Sequence, residues 1–306
     1  MTDFYFAAGA GATVALLMAI LWIQIRDRKP NTSSLLANGK VVIVTGGLSG
    51  LGYQLVKLYR ANGARVAVLD VKGESGLPQP SEPRTIRYYK CDVSNRTEVE
   101  VIMDVIETEL GTPNILINCA AMPVNKLPFH CLQNDLFVKT ISTNFLGSVN
   151  LIRAILPKLI NDGKRGSIVN ISSVVAHLYP AGLSDYTCSK AGLSALHHCL
   201  EAEARLLGYT RRIKFHLVEV GQMQTPLFNW VKPPNPLLAP VLQPSYVAQK
   251  IFNAVYSGEP SIIRLPRYVS WVCAYDGLPL RAQRLVRYLM GVDEVLGEHE
   301  SKKTIN

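Results

Sequence analysis

The sequence predicts an α/β fold, in which a doubly wound parallel sheet of about seven strands follows an N-terminal transmembrane helix. Three features support this prediction: short β-branched runs alternate with longer helical stretches, a glycine-rich turn follows the first run, and an uncharged apolar segment begins the chain. Strands that alternate with helices indicate a parallel sheet covered by helices on both faces.

Composition limits the class of protein. The chain has 306 residues, of which 48% are hydrophobic and 18% charged, enough for one large α/β domain with a substantial core. The net charge is +9, but no dense run of Lys and Arg with interleaved aromatic residues is present. The sequence therefore predicts contact with a membrane surface and no nucleic-acid partner. The six cysteines show no metal-ligand spacing, which favours free thiols in a reducing compartment and no metal site.

Residues 1–29 are predicted to be a membrane anchor. Phe4 to Ile25 contains no charged residue, and 22 residues of helix span roughly 33 Å, enough for the hydrocarbon core of a bilayer. Arg26 to Lys29 reads RDRK, which places the following domain in the cytosol by the positive-inside rule. A monotopic or hairpin-like insertion remains an alternative to a single span.

The elements of the domain predicted for 39–265 follow a polar linker at 30–38. Six runs read as strands, in the order KVVIVTGG, ARVAVLD, RTIRYYKCDV, NILINCAA, GSIVNISS and RIKFHLVEV. The predicted helices are Gly50 to Asn62, Arg96 to Leu110, about Asp135 to Ile160, and one that contains YTCSK and continues to about Leu207.

Two stretches depart from this alternation. Residues 225–245 contain six prolines, which exclude one regular helix and predict an irregular flap. Residues 266–306 are predicted to be a basic, amphipathic tail, since Arg264 to Met290 has five arginines and one acidic residue. Two interpretations stay open: a helix on a membrane surface, or a helix that packs its apolar face on the domain.

The first strand runs into TGGLSGLG, Thr45 to Gly52. Glycines let the backbone turn sharply and approach a ligand closely, and the amino terminus of the next helix suits a pyrophosphate. The predicted cofactor-binding residues of this turn are Gly46, Ser49, Gly50, Leu51 and Gly52.

Asp70 ends the second strand, 18 residues after Gly52. A carboxylate there accepts hydrogen bonds from ribose hydroxyls and repels a 2′-phosphate, so NAD(H) is favoured as cofactor. Lys72 could offset the repulsion, and NADP(H) therefore stays possible.

From about Gly39 to Leu265 the chain resembles the short-chain dehydrogenases/reductases, an oxidoreductase family with a Rossmann-type fold. The resemblance lies in an ordered set of motifs: TGGLSGLG, CDV, NCAA, STNFLG, NISS, YTCSK and VEVGQMQT. It implies an NAD(P)-dependent enzyme acting on CH–OH groups. It also implies a cofactor site that includes Asp92, Val93, Asn118 and Thr225, with Asn118 stabilising a strand beside the cofactor. Ala121 and Val220 depart from the glycine and proline of the family pattern.

Tyr186 and Lys190 form the centre of the predicted chemistry. Four residues apart, they share one face of a helix, where the ammonium lowers the pKa of the phenol and the phenol exchanges a proton with the substrate. The resemblance implies that both also contact the cofactor. It selects Ser173, 13 residues before the tyrosine, as the hydrogen-bond donor to the substrate oxygen. It further implies that Asn144 kinks its helix and holds a water molecule for proton relay.

Three histidines lack metal-like partners and are given no role: His177, His197 and His198. His177 lies between Ser173 and Tyr186 and could line the pocket.

The anchor and the apolar flap predict a lipophilic substrate, such as a retinoid, steroid, fatty aldehyde or keto-lipid. The tail ending GVDEVLG is similar to the membrane- and lipid-droplet-associated branch with retinol and 17β-hydroxysteroid dehydrogenases, which implies endoplasmic reticulum or lipid droplets. Two alternatives remain open: an NADPH-dependent keto-lipid reductase, and a non-catalytic dinucleotide-binding membrane scaffold. A homodimer through the helices of Asn144 and Tyr186 is possible by resemblance.

Overall fold

The computed structural model describes residues 37–72, 85–228 and 239–293, which form a seven-stranded sheet. The strands lie in the order β3-β2-β1-β4-β5-β6-β7, and every neighbouring pair is parallel. They are β1 Val41–Thr45, β2 Arg65–Asp70, β3 Ile86–Lys90, β4 Ile115–Asn118, β5 Gly166–Ser173, β6 Ile213–Val220 and β7 Ser261–Leu265. The predicted doubly wound parallel α/β fold is therefore confirmed.

The predicted membrane anchor, 1–29, lies outside the described residues, and so does most of the linker. Within the described ranges, no helix has the length and apolar character needed to cross a bilayer. Ala37, assigned to the linker from sequence, is fully buried in the core.

Helices cover both faces of the sheet. They are α1 Gly50–Ala61, α2 Arg96–Leu110, α3 Asn134–Ile141, α4 Gly147–Asn161, α5 Val175–Leu178, α6 Ser184–Leu206, α7 Pro244–Tyr256, α8 Val269–Val272 and α9 Leu280–Leu289. Helices α1 and α7 share one core cluster with the sheet, where the rings of Tyr59 and Phe252 meet edge to face at 5.1 Å. Helices α2, α4 and α6 contribute to the cluster on the opposite face.

Strand β1 shows why the strand sequences are apolar without alternation. Val42 and Val44 belong to one core cluster, and Val41 and Ile43 belong to the other. A strand that is buried on both faces needs apolar side chains at every position.

The long helix predicted for 135–160 is divided into three helical segments. Helix α3 leads into a π-helical segment, Ser142–Leu146, and α4 follows directly. Asn144 lies in the π segment, the type of local widening that is frequent at functional sites.

The region predicted as a flap, 225–245, ends earlier than expected. Helix α7 begins at Pro244. Proline is tolerated in the first turn of a helix, because an N–H group at that position would have no intrahelical acceptor. Residues 229–238 lie outside the described part of the chain. In the region predicted as a tail, Val269 is fully buried, and it packs in a small cluster with Tyr186.

The strand order reverses between β1 and β4. In open α/β sheets, ligands bind in the crevice outside the carboxyl ends of the strands at this point. The fold therefore directs attention to the loops that follow β1, β4 and β5.

Candidate active site

A cleft of about 630 Å³ lies at the carboxyl ends of the central strands. Most residues selected from sequence line it: Gly46, Ser49, Gly50, Leu51, Gly52, Asp70, Asp92, Val93, Ser173, Tyr186, Lys190 and Thr225. Asn118 and Asn144 are buried in the structure behind the lining. The sequence therefore selected residues that the fold brings together.

The glycine turn is constrained by its own backbone. Gly46 and Gly50 have φ of +62° and +51°, a region that L side chains rarely adopt. A Cβ added to Gly52 would lie 2.3 Å from the carbonyl oxygen of Gly46. The first turn of α1 contains no acidic residue, which leaves its positive end suited to a phosphate.

Thr45 holds this turn against the end of β4, a role that the sequence did not reveal. Its Oγ1 accepts hydrogen bonds from the backbone N–H groups of Cys119 and Ala120, both at 2.9 Å. The same hydroxyl donates to the carbonyl of Ile117 at 3.4 Å. In the sequence, the position of a hydroxyl side chain directly before the glycines could have indicated this role of Thr45.

Asp70 lies at the end of β2 beside the glycine turn. Its carboxylate accepts the backbone N–H groups of Leu48 at 3.4 Å and Lys72 at 3.1 Å. Asp92 similarly accepts the N–H and hydroxyl of Ser94 at 2.9 and 2.7 Å. Both carboxylates are thus oriented by the local backbone at the rim of the cleft.

Asn118 does not line the cleft. It is buried on β4, where its amide donates to Asn170 Oδ1 on β5 at 2.8 Å, in register across the two strands. This contact matches the strand-stabilising role that the resemblance implied. The predicted contact of Asn118 with a cofactor stays a prediction.

Tyr186, Lys190 and Ser173 are buried around one end of the cleft. Lys190 Nζ lies 5.6 Å from the ring centre of Tyr186 and donates to the carbonyl of Ile171 at 2.8 Å. Ser173 Oγ donates to the carbonyl of Val220 at 3.3 Å. A phenol, an ammonium and a hydroxyl therefore converge where β5 and β6 end.

Burial sets the protonation of this group. Desolvation lowers the pKa of Lys190 to about 8, and it raises the pKa of Tyr186 above its ordinary value. The sequence predicted a lowered pKa for Tyr186. In the chain alone the cost of burying phenolate exceeds the attraction of an ammonium 5.6 Å from the ring centre, so the neutral phenol is favoured at neutral pH.

Asn144 uses its side-chain amide to connect three elements. Its Oδ1 accepts the backbone N–H of Met122 at 2.8 Å, and its Nδ2 donates to Ser189 Oγ at 3.0 Å. The π segment is thereby joined to the loop after β4 and to α6. The water relay implied for Asn144 stays a prediction.

Asp185 is a buried residue that the sequence analysis did not select. One carboxylate oxygen accepts the backbone N–H of Tyr186 at 2.8 Å. The other accepts from Asn125 Nδ2 at 2.7 Å and Thr140 Oγ1 at 2.9 Å. This carboxylate fixes the first turn of α6, and with it the start of the helix that carries the phenol.

Glu219, on β6, is a second missed residue and is fully buried. Its carboxylate contacts His177 Nε2 at 2.7 Å, Arg264 Nε at 2.8 Å and Cys273 Sγ at 3.7 Å. Burial alone would raise the pKa of Glu219, but the hydrogen bonds from His177 and Arg264 outweigh it and lower the pKa to about 2. In the sequence, the position of the glutamate between two valines, in a run that is otherwise mostly apolar, could have indicated this burial.

This ion cluster corrects the picture of His177. The ring faces Glu219 and is absent from the cleft lining, and hydrogen bonds with Cys273 and Glu219 raise the pKa of His177 to about 10. His177, Glu219 and Cys273 are close enough to resemble a metal site. Because the guanidinium of Arg264 already pairs with the carboxylate, the group is organised as an ion pair network.

The cluster connects to the predicted catalytic residues through two serines. Ser194 Oγ lies 3.4 Å from Glu219 Oε1 and 2.8 Å from Ser172 Oγ, which donates to the carbonyl of Lys190 at 3.0 Å. Glu219 thus supports α6 from behind the cleft.

The remaining end of the cleft is apolar. The ring of Phe228 meets that of Tyr186 edge to face at 5.7 Å, and Leu227 packs in the same small cluster. Met122, Pro123 and Met223 also line the cleft. The phenol therefore stands between a polar end with glycines and carboxylates and an apolar end.

Comparison with known proteins agrees with this geometry. Residues 40–235 match the family model described as short chain dehydrogenase. The chain is 31% identical over 265 residues to an uncharacterized oxidoreductase of Saccharomyces cerevisiae, covering 86% of this chain and 85% of the relative. It is 28% identical over 285 residues to epidermal retinol dehydrogenase 2 of Mus musculus, covering 91% and 89%. It is 29% identical over 239 residues to short-chain dehydrogenase/reductase family 16C member 6 of Bos taurus, covering 75% and 73%.

Proposed function

The chain belongs to the short-chain dehydrogenases, and on that premise we propose that it transfers a hydride between NAD(H) and a lipophilic alcohol or carbonyl compound that enters from a membrane. Membership makes it an oxidoreductase of alcohols or carbonyl compounds that uses a nicotinamide cofactor. The cofactor preference, the substrate class and the membrane are the parts that we propose.

One observation carries the proposal: the phenol of Tyr186 is buried where the two ends of the cleft meet. The glycine turn lies at the polar end, and Phe228 contacts the tyrosine ring from the apolar end. Hydride and proton must reach the same carbon–oxygen group, so a proton donor at this junction suits the reaction.

The polar end fits a nicotinamide dinucleotide. The glycine turn is so tight that a Cβ at Gly52 would clash with the backbone of Gly46. The amino terminus of α1, which suits a phosphate, begins in the same turn. Asp70 offers a carboxylate that favours a free ribose 2′-hydroxyl. A nicotinamide bound here would supply or accept the hydride.

The chain's own residues manage the proton. During reduction, Tyr186 donates its phenolic proton to the alkoxide as charge develops on the substrate oxygen, and Ser173 donates a hydrogen bond to that oxygen. During oxidation, the same phenol must first lose its proton. With its pKa near 8, Lys190 is an ammonium at neutral pH and stabilises the phenolate that both directions require.

The apolar end supports a lipophilic substrate. Leu227 and Phe228 offer no charged partner to a substrate, and one relative is a retinol dehydrogenase by name. The uncharged run from Phe4 to Ile25 would hold the enzyme at the bilayer where retinoids, steroids and fatty aldehydes dissolve.

Turnover by the detergent-solubilised full chain tests the proposal. NADH or NADPH, and their oxidised forms, are combined with retinol, a hydroxysteroid and a fatty alcohol or their carbonyl forms. We expect turnover with NAD(H), and we expect Tyr186→Phe to reduce it by about 10²–10⁴-fold while NADH still binds. Tyr246→Phe, on the exposed side of α7, is the matched control and should retain full turnover.

Three results would contradict the proposal. Turnover that survives Tyr186→Phe would remove the mechanism. NADH binding without turnover of any substrate would indicate a scaffold. Faster turnover with NADPH would indicate a keto-lipid reductase.

A further inference from the structure

The outer face of α9 is apolar, opposite to what a helix on a water-facing surface shows. With 100° between residues, six side chains form one continuous half of this helix. These are Leu280, Arg284, Tyr288, Arg281, Leu285 and Leu289, and all six are exposed. Tyr288 is 83% exposed and Leu289 69%.

The inner half of α9 carries polar contacts to the domain. Arg287 donates to the carbonyls of Leu178 at 2.6 Å and Tyr179 at 2.9 Å, and it pairs with Asp293. Asp293 in turn accepts the backbone N–H of Ala181 at 3.1 Å. The orientation of the helix is therefore fixed with its apolar half outward, and surface helices of globular proteins normally have the reverse arrangement.

We propose that this outer half of α9, the carboxyl-terminal apolar surface, docks on an anionic lipid bilayer. The proposal rests on the proposed function, because it names the surface through which a lipophilic substrate would be approached. Leucines and a tyrosine enter the interfacial region of a bilayer, and arginines between them pair with anionic headgroups.

The positive charge of the carboxyl-terminal apolar surface favours an anionic bilayer over a second copy of the chain as its partner. The sequence of α9 contains three arginines and no acidic residue. In a twofold dimer through this surface, Arg281 and Arg284 of each copy would face the same basic patch of the other. Anionic headgroups complement these two arginines.

The surface also lies close, along the chain and in space, to the walls of the cleft. Arg287 holds the carboxyl end of α5, the helix that follows Ser173. Val269, on the preceding helix α8, packs in the cluster that contains Tyr186 and Phe228. These contacts join α9 and α8 to elements that flank Ser173 and Tyr186.

Tryptophan quenching in the full chain tests the docking. The native tryptophans are replaced by phenylalanine, and a single reporter is introduced as Tyr288→Trp on the surface or as Leu206→Trp at the exposed end of α6. The protein is inserted in vesicles of phosphatidylcholine with 30% phosphatidylserine, with brominated acyl chains as quencher. We expect quenching of the reporter at 288 and none at 206.

The charge requirement has its own matched pair. Arg281→Glu with Arg284→Glu should weaken docking by about fivefold per arginine on anionic vesicles, and Arg211→Glu, at an exposed arginine before β6, should not. Vesicles of phosphatidylcholine alone should give weak quenching with every variant. Equal quenching on neutral and anionic vesicles would overturn the anionic part of the proposal.

Turnover separates docking from catalysis. Leu285→Glu with Leu289→Glu should lower turnover of a long-chain alcohol dissolved in the vesicles by at least about fivefold, and leave turnover of a water-soluble alcohol unchanged. If the unaltered chain oxidises neither alcohol, the proposed function fails, while quenching still decides the docking.

Other occupants give distinct results, and each overturns the proposal. Self-association that Leu285→Glu abolishes would indicate a dimer. A reporter at 288 that is blue-shifted in detergent but is not quenched by the brominated lipid would indicate that another segment of the chain covers the surface. Equal quenching at 288 and 206 would indicate unspecific contact with the vesicle.

Discussion

The two ends of the cleft are held by different kinds of contact. At the proposed cofactor end, backbone groups approach one another: Gly52 lies against the carbonyl of Gly46, and Thr45 accepts two backbone N–H groups. At the proposed substrate end, the buried side chain of Glu219 contacts residues from α5, α6, β7 and the segment after α8.

This difference separates a site that a local sequence pattern identifies from one that only the structure shows. A turn made of backbone contacts tolerates few residue types, so its sequence is recognisable. An ion cluster assembled from distant elements has no local sequence pattern by which it could be recognised. We therefore expect damage at the two ends to have different consequences.

Removing the carboxylate of Glu219 should have the largest effect on stability. Glu219→Ala leaves Arg264 and His177, whose side chains are each about a fifth exposed, without their counter-charge, which should lower the free energy of unfolding by about 3 kcal/mol. Chemical denaturation measures this. Glu203→Ala, at an exposed glutamate on α6, should change it by less than about 0.5 kcal/mol.

The same variant compares the two ends directly. Since Glu219 supports β6 and α6, turnover by folded Glu219→Ala protein should fall further than NADH affinity. Equal losses of both, or a loss of stability below about 1 kcal/mol, would show that the cluster does not hold the substrate end.

A methyl group at Gly52 should damage the cofactor end. The Cβ of Gly52→Ala would meet the carbonyl oxygen of Gly46 at 2.3 Å, so the turn must shift, at a cost of about 1–3 kcal/mol in stability. NADH affinity, measured by fluorescence titration, should fall by about tenfold or more, because the phosphate-facing amides move with the turn.

Gly277→Ala is the matched control, since no atom lies within 4 Å of the added Cβ. It should leave both stability and NADH affinity within error. Unchanged NADH affinity in Gly52→Ala would show that the turn does not bind the cofactor.

The contrast also explains how much the sequence could predict. Six of the seven strands, the helices α1, α2 and α6 and most of the cleft-lining residues could be predicted, because the strand runs are largely apolar and each motif is local. Asp185 and Glu219 could not, because their side-chain partners are 25 or more residues away along the chain. Asn125 is such a partner of Asp185, and Ser194 is such a partner of Glu219. A carboxylate gives no sign in the sequence of whether it is solvated or enclosed.

The pKa of Tyr186 shows a second limit. Helical spacing correctly placed Lys190 one turn from the phenol, but the sign of the shift depends on how deeply both are buried. Tyr186 is buried partly by packing with Phe228 and Val269. From the sequence, Phe228 was assigned to the flap and Val269 to the tail, so this packing was not predicted.

Asp70→Asn should change cofactor preference by a smaller amount. Loss of the charge removes a charge-assisted hydrogen bond to the ribose and the repulsion of a 2′-phosphate, so the ratio of NADPH to NADH affinity should rise by about tenfold. Titration with both cofactors measures it. Asp135→Asn, exposed at the start of α3, should leave the ratio unchanged, and an unchanged ratio in Asp70→Asn would separate this carboxylate from cofactor choice.

The smallest effect should be a pH-dependent one at the substrate end, from His177→Gln. The pKa of His177 is raised to about 10 in the folded chain from an ordinary value of 6.5. Its ion pair with Glu219, beside Arg264 and Cys273, therefore contributes fully below about pH 6.5, and the contribution is lost as the pH rises through 10.

His177→Gln should thus cost about 1 kcal/mol near pH 6, and the difference from the unaltered chain should shrink as the pH approaches 10. Lys190, with its lowered pKa, makes the folded chain more stable as the pH rises from about 8, but this slope is the same in both proteins and cancels in the difference. His130→Gln, at an exposed histidine, is the matched control and should change the stability near pH 6 by less than about 0.5 kcal/mol. A constant loss across this range in His177→Gln would mean that His177 is neutral and acts by packing, and the substrate end would then depend on Glu219 and Arg264 alone for its charge balance.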